Sequence, residues 1–380
     1  MPRGAAPIIP RRLMSLAPLQ AKAATGGSPD GSANCAAALC LGALLLIFRG
    51  ISFHDKQFFL IFVRYKRIVA RNRTQLITRD MSKKGILVIG SSNTDMTVKT
   101  KALPRPGETV LGGVFTMGAG GKGANQAVAA QRLGGNVKFI CKVGRDIFGD
   151  NSIAQYQKEG LDTSGVLRSG QPSGVALISV DEHAENCIVV ASGANGDLTE
   201  ADIDASAKDI KACGILLLQL ETPIPSVLKA AKMAHEAGAT VVLNPAPACP
   251  LPEELFKYID LFIPNETELS TFSGLPVDDV ASAEKAAAAM QAKGVGKLIV
   301  TMGSKGALIC EGGPSVFVPA HKVKAVDTTA AGDTFCGALC VAVSEGKSLK
   351  EAAEFACAAS ALTVQKMGAQ NSIPFRKDIK

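Results

Sequence analysis

After Met81, short apolar runs alternate with longer stretches of helical periodicity. Ile86–Gly90, Val137–Val143, Ile215–Leu220, Thr240–Leu243, Leu261–Ile263 and Lys297–Thr301 are apolar at successive positions, as a parallel strand covered on both faces requires. Between them, Gly123–Leu133, Pro225–Ala237, Ala281–Ala292 and Leu349–Gln365 repeat apolar residues at three- and four-residue intervals, and Gly134 and Gly238 stand where helix C-terminal caps belong. This order predicts βαβ units and an α/β fold, a central mostly parallel sheet flanked by helices. Thr97–Thr116 and Ser173–Val190 break the alternation with short strand runs, turn residues (Pro104, Gly107, Gly112, Gly113, Asp181–His183) and no helix. They predict a small antiparallel β lid over a ligand, with an exposed apolar face suited to a homodimer.

The pattern stops upstream of Met81. The apolar run Cys35–Phe48 is shorter than the ~20 residues of a membrane span, and Phe58–Val63 is shorter still, flanked by Arg64, Lys66 and Arg67. Residues 1–80 hold twelve Lys or Arg against Asp30, Asp55 and Asp80, a net +9; with +7 for all 380 residues, residues 81–380 sum to −2. A near-neutral folded part carries no nucleic-acid footprint, and no membrane partner is expected. The Arg-rich, acid-poor segment 1–80 reads as a targeting peptide for an organelle or as an extension ahead of a natural start at Met81. Met81-Ser-Lys-Lys-Gly85 running straight into a strand favours the second reading and a cytoplasmic enzyme; either way the segment is expected to be poorly ordered. The ten cysteines lack paired zinc spacing and the four histidines do not cluster, so a zinc or di-iron centre is not expected.

Chemistry concentrates in a few motifs. Asp327-Thr-Thr-Ala-Ala-Gly-Asp-Thr-Phe335 leads into an apolar helix (Phe335, Leu339, Val341), so unpaired amides near Gly332 and the helix dipole favour an anion. Asp333 is placed to act as a general base there; a plain helix cap is the structural alternative. Gly118-Ala-Gly-Gly-Lys-Gly-Ala-Asn125 matches G-x-G-x-x-G literally, but it does not follow the first strand, and Lys122 is followed by Gly123 rather than the Ser or Thr of a Walker A loop. It reads as a glycine-rich turn before a helix, bringing Lys122 and Asn125 toward a polyhydroxyl ligand. Asn93 and Asp95 end the first strand in this reading and Glu221 ends another, so the three converge on one rim with groups that suit vicinal hydroxyls; Asx-turns are the alternative. Asn265 and Glu268 open a helix as a cap or as partners of hydrated Mg²⁺ and phosphate. Thr301-Met-Gly-Ser-Lys-Gly306 is a tight turn that passes beside a nucleotide or only joins two strands.

Taken in order, Gly90-Ser-Ser-Asn-Thr-Asp95, Gly120–Gln126, Leu220-Glu221, Asn244-Pro-Ala-Pro247, Pro264-Asn-Glu-Thr-Glu268, Thr301-Met-Gly-Ser304 and Asp327–Phe335 resemble the ribokinase family of carbohydrate kinases, which also holds fructokinases and adenosine kinase. The resemblance runs from Gly85 to about Pro374 and implies a ribokinase-like kinase domain over residues 81–380. It implies ATP-dependent phosphorylation of D-ribose at its 5-hydroxyl, with Asp333 as base. Asn93, Asp95, Gly121, Lys122, Gly123, Ala124, Asn125 and Glu221 would hold the sugar with Asp333, and Ala330, Ala331 and Gly332 would form the anion hole. ATP would lie along Asn265, Thr301, Met302, Gly303, Ser304, Lys305, Gly306, Gly332, Asp333 and Cys357, with Glu268 serving Mg²⁺ indirectly. K⁺ would sit by Asp327, Thr329, Thr363, Lys366, Gly368 and Ser372. Two positions depart from the family pattern: Cys357 replaces a histidine found near the adenine in some members, and Lys366 a frequent arginine. Another sugar or a nucleoside as acceptor, or a catalytically silent sugar-binding protein, are the alternatives.

Overall fold

β1 (Ile86–Ile89) lies inside a nine-stranded sheet of a computed structural model that describes residues 85–183 and 185–379. All of these belong to the compact unit Thr78–Lys380; the extension expected at residues 1–80 falls outside the described residues. The sheet's other strands are β4 (Val137–Gly144), β5 (Val166–Ser169), β8 (Ile215–Leu218), β9 (Thr240–Leu243), β10 (Leu261–Phe262), β11 (Lys297–Thr301), β12 (Gly306–Cys310) and β13 (Val316–Pro319). Their order is β13-β12-β11-β10-β9-β8-β1-β4-β5, parallel except where β12 and β13 pair antiparallel at one edge. The apolar runs explain this: Ile86 and Val88 enter one buried cluster while Leu87 and Ile89 enter the other. Among the helices, α1 (Lys122–Arg132), α2 (Ile147–Lys158), α3 (Ile224–Glu236), α4 (Glu266–Ser273), α5 (Val280–Ala292), α6 (Ala331–Ser344) and α7 (Leu349–Thr363), the α1, α6 and α7 residues fill the first cluster, and α3 and α5 the second.

Two features position the site. The strand order reverses at β1, with β4 on one side and β8 on the other, which opens a crevice at the carboxyl ends of the strands. The buried helix α6 also lies very close to α1: a Cβ on Gly337 would fall 2.8 Å from both the Ala129 Cβ and the Gln126 carbonyl. That contact brings the start of α6 against the first turns of α1.

The second sheet is the lid, in the order β3-β2-β6-β7: β2 (Asn93–Lys99), β3 (Val114–Gly120), β6 (Gly174–Val180) and β7 (Asn186–Ala191). Two antiparallel pairs, β2–β3 and β6–β7, join through parallel pairing of β2 with β6. This corrects two local readings. Asn93 and Asp95 do not end the first core strand; β1 stops at Ile89, and both residues lie on lid strand β2. Gly118–Gly120 is not a turn but the end of β3, with Asn93 opposite Gly120. A ladder made of glycine backbone leaves no side-chain alternation to read, which is why the pattern hid it.

Candidate active site

The carboxyl ends of the core strands supply one rim: Glu221 beyond β8, Asn244 beyond β9, Asn265 and Glu268 beyond β10, and Thr301 at the end of β11. With the lid's inner face and the start of α6 they enclose a cavity of about 930 Å³. At one end, Glu221 Oε2 accepts from the Ser91 hydroxyl (2.5 Å) and the Lys122 amide (3.0 Å), which leaves Oε1 to a ligand. Asn93 Oδ1 accepts from Asn195 Nδ2 at 2.6 Å, so Asn93 offers its NH₂ as a donor. Asn125 does the opposite: its Nδ2 donates to Asp333 Oδ2 at 2.9 Å, and its Oδ1 is buried without a partner, an open acceptor on the cavity wall. Burial, then the negative charges of Glu221 and Asp333, push Asp95 up to about 6 against the pull of Lys122. Burial alone would lower the Lys122 ammonium, but Asp333, Glu221 and Glu268 outweigh it and hold the pKa above the ordinary lysine value.

Asp333 is 7% exposed and lies in the first turn of α6. Its Oδ1 accepts from Gln126 Nε2 at 3.0 Å. Burial raises its pKa, with Lys122, Asn125 and Gln126 opposing, the direction a general base would need. Ala330 precedes the helix at φ 60°, the left-handed region, and is the only non-glycine residue with positive φ among the described residues. Such a conformation costs about 1–2 kcal/mol for alanine and caps the helix without a side chain, so the first amides face the cavity. The Ala331 N–H turns back to the Thr328 carbonyl at 3.2 Å, so that amide of the expected Ala330–Gly332 set is already engaged.

At the other end of the cavity, Asn265 and Glu268 form a full capping box: Asn265 Oδ1 accepts from the Glu268 N–H (2.7 Å) and Glu268 Oε2 from the Asn265 N–H (2.9 Å). Both also line the cavity, so the cap leaves them on its wall. Thr301, Gly303, Ser304, Gly306, Gly332 and Cys357 line it too. Met302 instead packs in the core and Lys305 pairs with Glu266 at 2.8 Å, so neither side chain reaches the cavity wall. Gly121 and Lys122 line the cavity, whereas Gly123 and Ala124 do not; Gly123 permits close packing on β1, since a Cβ there would lie 2.5 Å from the Ser91 nitrogen.

Asp327 Oδ1 accepts from the Thr329 N–H (2.9 Å) and Oδ2 from the Gly368 N–H (2.8 Å), tying the two expected cation-binding segments together. Burial would raise Asp327, but these bonds outweigh it and hold it below the usual carboxylate range. The Thr363 hydroxyl bonds to the Thr334 hydroxyl (3.0 Å) and that of Ser372 to the Ala369 carbonyl (2.7 Å), so both hydroxyls are held by partners within the protein. Sequence reasoning gave no role to Ser91, Gln126, Asn195, Gln219 or Asn244; Ser91, Gln126 and Asn195 bond to lining residues, and Gln219 and Asn244 bond to Gln126. Gln126 and Asn244 stand inside recognisable motifs; Asn195 and Gln219 carried no signal.

A family model for pfkB family carbohydrate kinases matches residues 83–376. The chain belongs to the pfkB family of carbohydrate kinases. Among the relatives of this pfkB kinase, a Haemophilus influenzae ribokinase is 44% identical over 297 residues, 78% of this chain and 97% of its own. A Salmonella typhi deoxyribokinase is 41% identical over 293 residues, 76% of this chain and 95% of its own. An Arabidopsis thaliana ribokinase solved with ribose and ATP superposes with a TM-score of 0.73 at 35% identity, covering 78% of this chain and 97% of that one. The ribokinase-like α/β fold expected from the motifs is therefore the fold of this pfkB kinase, and its activity is that of a phosphotransferase. No helix among the described residues is long and apolar enough to cross a membrane.

Proposed function

We propose that this pfkB kinase transfers the γ-phosphoryl group of ATP to the 5-hydroxyl of D-ribose, giving ribose 5-phosphate and ADP. One observation carries the reading: a buried carboxylate, Asp333, stands beside the free amides of α6 and shares a cavity with Asn93, Asp95, Asn125 and Glu221. Asp333 takes the proton as the sugar oxygen bonds to the γ-phosphorus and the bond to the β-phosphate oxygen breaks. The Gly332 and Asp333 amides, with Lys122, stabilise charge on the transferring group. Each such donor is worth roughly 3–4 kcal/mol of barrier when it is placed for the transition state.

Glu268 fits an indirect role toward Mg²⁺: it is 9% exposed, burial raises its pKa, and only one oxygen is spent on the cap. Bound with ATP, that ion would neutralise the β- and γ-phosphates. The Asp327–Thr329 and Thr363–Ser372 segments, with Lys366 and Gly368 between them, offer carboxylate and carbonyl oxygens that suit K⁺ beside the anion hole. The Thr301–Gly306 turn and Cys357 border the nucleotide. The lid's outer face supports a homodimer, and the free thiols of Cys141, Cys336, Cys340 and Cys357 fit a cytoplasmic enzyme. We assign the kinase domain to residues 81–380. The deoxyribokinase relative supports deoxyribose as a second acceptor. ATP consumption measured on ribose, deoxyribose, fructose and adenosine, with and without K⁺, tests the assignment. Ribose turning over fastest and K⁺ raising that rate is the expected result, and no turnover with either pentose would overturn it.

A further inference from the structure

Behind Asp333 lies a run of buried amides that the chemistry above does not use. Gln219, 1% exposed, follows β8; Gln126, fully buried, sits on α1. Gln219 Nε2 donates to Gln126 Oε1 at 2.6 Å, and Gln126 Nε2 donates at 3.0 Å to both Asp333 Oδ1 and Asn244 Oδ1. Asn244 Nδ2 donates in turn to the Ile263 backbone carbonyl at 2.9 Å. This bonding allows only one orientation of each amide. The Ile263 carbonyl can only accept, so Asn244 must point its NH₂ there and its oxygen at Gln126. Gln126 must then present its NH₂, one hydrogen to Asn244 and the other to Asp333, and its oxygen is left to accept from Gln219. The run ends at Gln219 Oε1, which is buried without a partner. Flipping Gln219 to relieve that atom would set two amide oxygens against each other.

We propose that Gln126 and Gln219 are positioning residues for the base, forming a directed amide chain that is anchored on the Ile263 carbonyl and keeps an N–H on Asp333 Oδ1. The inference rests on the reading of Asp333 as general base. Besides Gln126, the side chains that favour its charge are Lys122 and Asn125, whose Nδ2 donates to Oδ2. From α1 only Lys122 supplies a cation, whereas Asp95 on β2, Glu221 beyond β8 and Glu268 on α4 are acids. On α6 itself the neighbouring titratable group is Cys336, whose thiol burial pushes well up and which therefore stays neutral. A neutral amide stabilises the ionised carboxylate without adding a second cation that would compete for the phosphate.

The test is the pH dependence of kcat at saturating ribose and ATP for the wild type, Gln126→Met, Gln126→Glu, Gln219→Met and Asp333→Asn, with ribose affinity read by calorimetry. Losing the donor to the carboxylate should move the acid limb of kcat up by about one to two pH units in Gln126→Met. Gln126→Glu, which sets a carboxylate against a carboxylate, should move it further, and Gln219→Met less but in the same direction. Turnover should recover toward wild type as pH rises, and ribose affinity should stay within about threefold. Acid limbs that superimpose on wild type, with kcat lowered equally at every pH, would show that these glutamines only pack, and would overturn the proposal. Should the Gln126 variants fail to fold, the Gln219→Met limb decides alone. Wild-type turnover in Asp333→Asn would instead remove the base reading itself, a separate outcome.

Discussion

In the nine-stranded sheet, alternate residues of β1 enter two separate cores, and both faces are covered by helices. The lid sheet uses the same alternation differently. Its register places Asp95, Ala176 and Val190 on one face, over the cavity, and Met96, Leu177 and Val189 on the other. Nothing within the described residues covers that outer face: Phe115, Met117, Leu177 and Val189 are 59%, 53%, 51% and 62% exposed. A sheet buried on both sides holds its rim at fixed positions, which a base and an anion hole require. A sheet buried on one side only is free to move and gains from a partner.

The sharpest way to break this contrast is at the rim. Asp333→Asn should lower kcat by at least about 100-fold with modest change in ribose affinity, read by steady-state kinetics and calorimetry. Turnover above a tenth of wild type would mean that the fixed rim does not supply the base. On the lid, Phe115→Lys with Val189→Lys should weaken a dimer by at least about thirtyfold in sedimentation equilibrium, since a desolvated unpaired charge costs several kcal/mol. An unchanged mass would show that the outer face is not the contact.

Asp95 joins the two regions, because a lid strand carries it onto the cavity wall beside Asn93, Asn125 and Glu221. It is ionised above about 6 and neutral below, and the carboxylate is the form that accepts from hydroxyls. The kcat/KM for ribose should therefore fall by up to about tenfold per unit as pH drops below about 6; a flat profile between pH 7 and 5 would exclude it from binding. Asp327→Ala removes the tie between its own loop and Gly368. We expect about a five- to tenfold loss of the K⁺-dependent part of the rate, with KCl compared against choline chloride. Cys357→His should change KM for ATP by less than about threefold and leave kcat unaltered, if, as proposed above, the residue borders the nucleotide without touching the reacting atoms.

Much of this was legible in the chain. Consecutive apolar residues announced each parallel strand from β1 to β11 apart from β5, and Thr240–Leu243 and Lys297–Thr301 matched to the residue. The motif around Asp333 announced a helix start. The lid was recognised, yet its first strand was misplaced because glycine backbone paired with Asn93 and Asp95 leaves no pattern. Asn195 and Gln219 were invisible for another reason: Asn195 orients the lining residue Asn93 and Gln219 the buried Gln126, both distant in sequence, and nothing local marks such a partner.

Local sequence alone determined the alternation of elements, the break that makes a lid, and the small residues that open α6, because backbone propensity and apolar period act over a few neighbours. Only the tertiary structure decided which way each buried amide points and which oxygen of Glu221 or Asp333 remains for a ligand. Those choices depend on donors and acceptors brought together across roughly a hundred residues or more of chain, and they are fixed by the whole network at once.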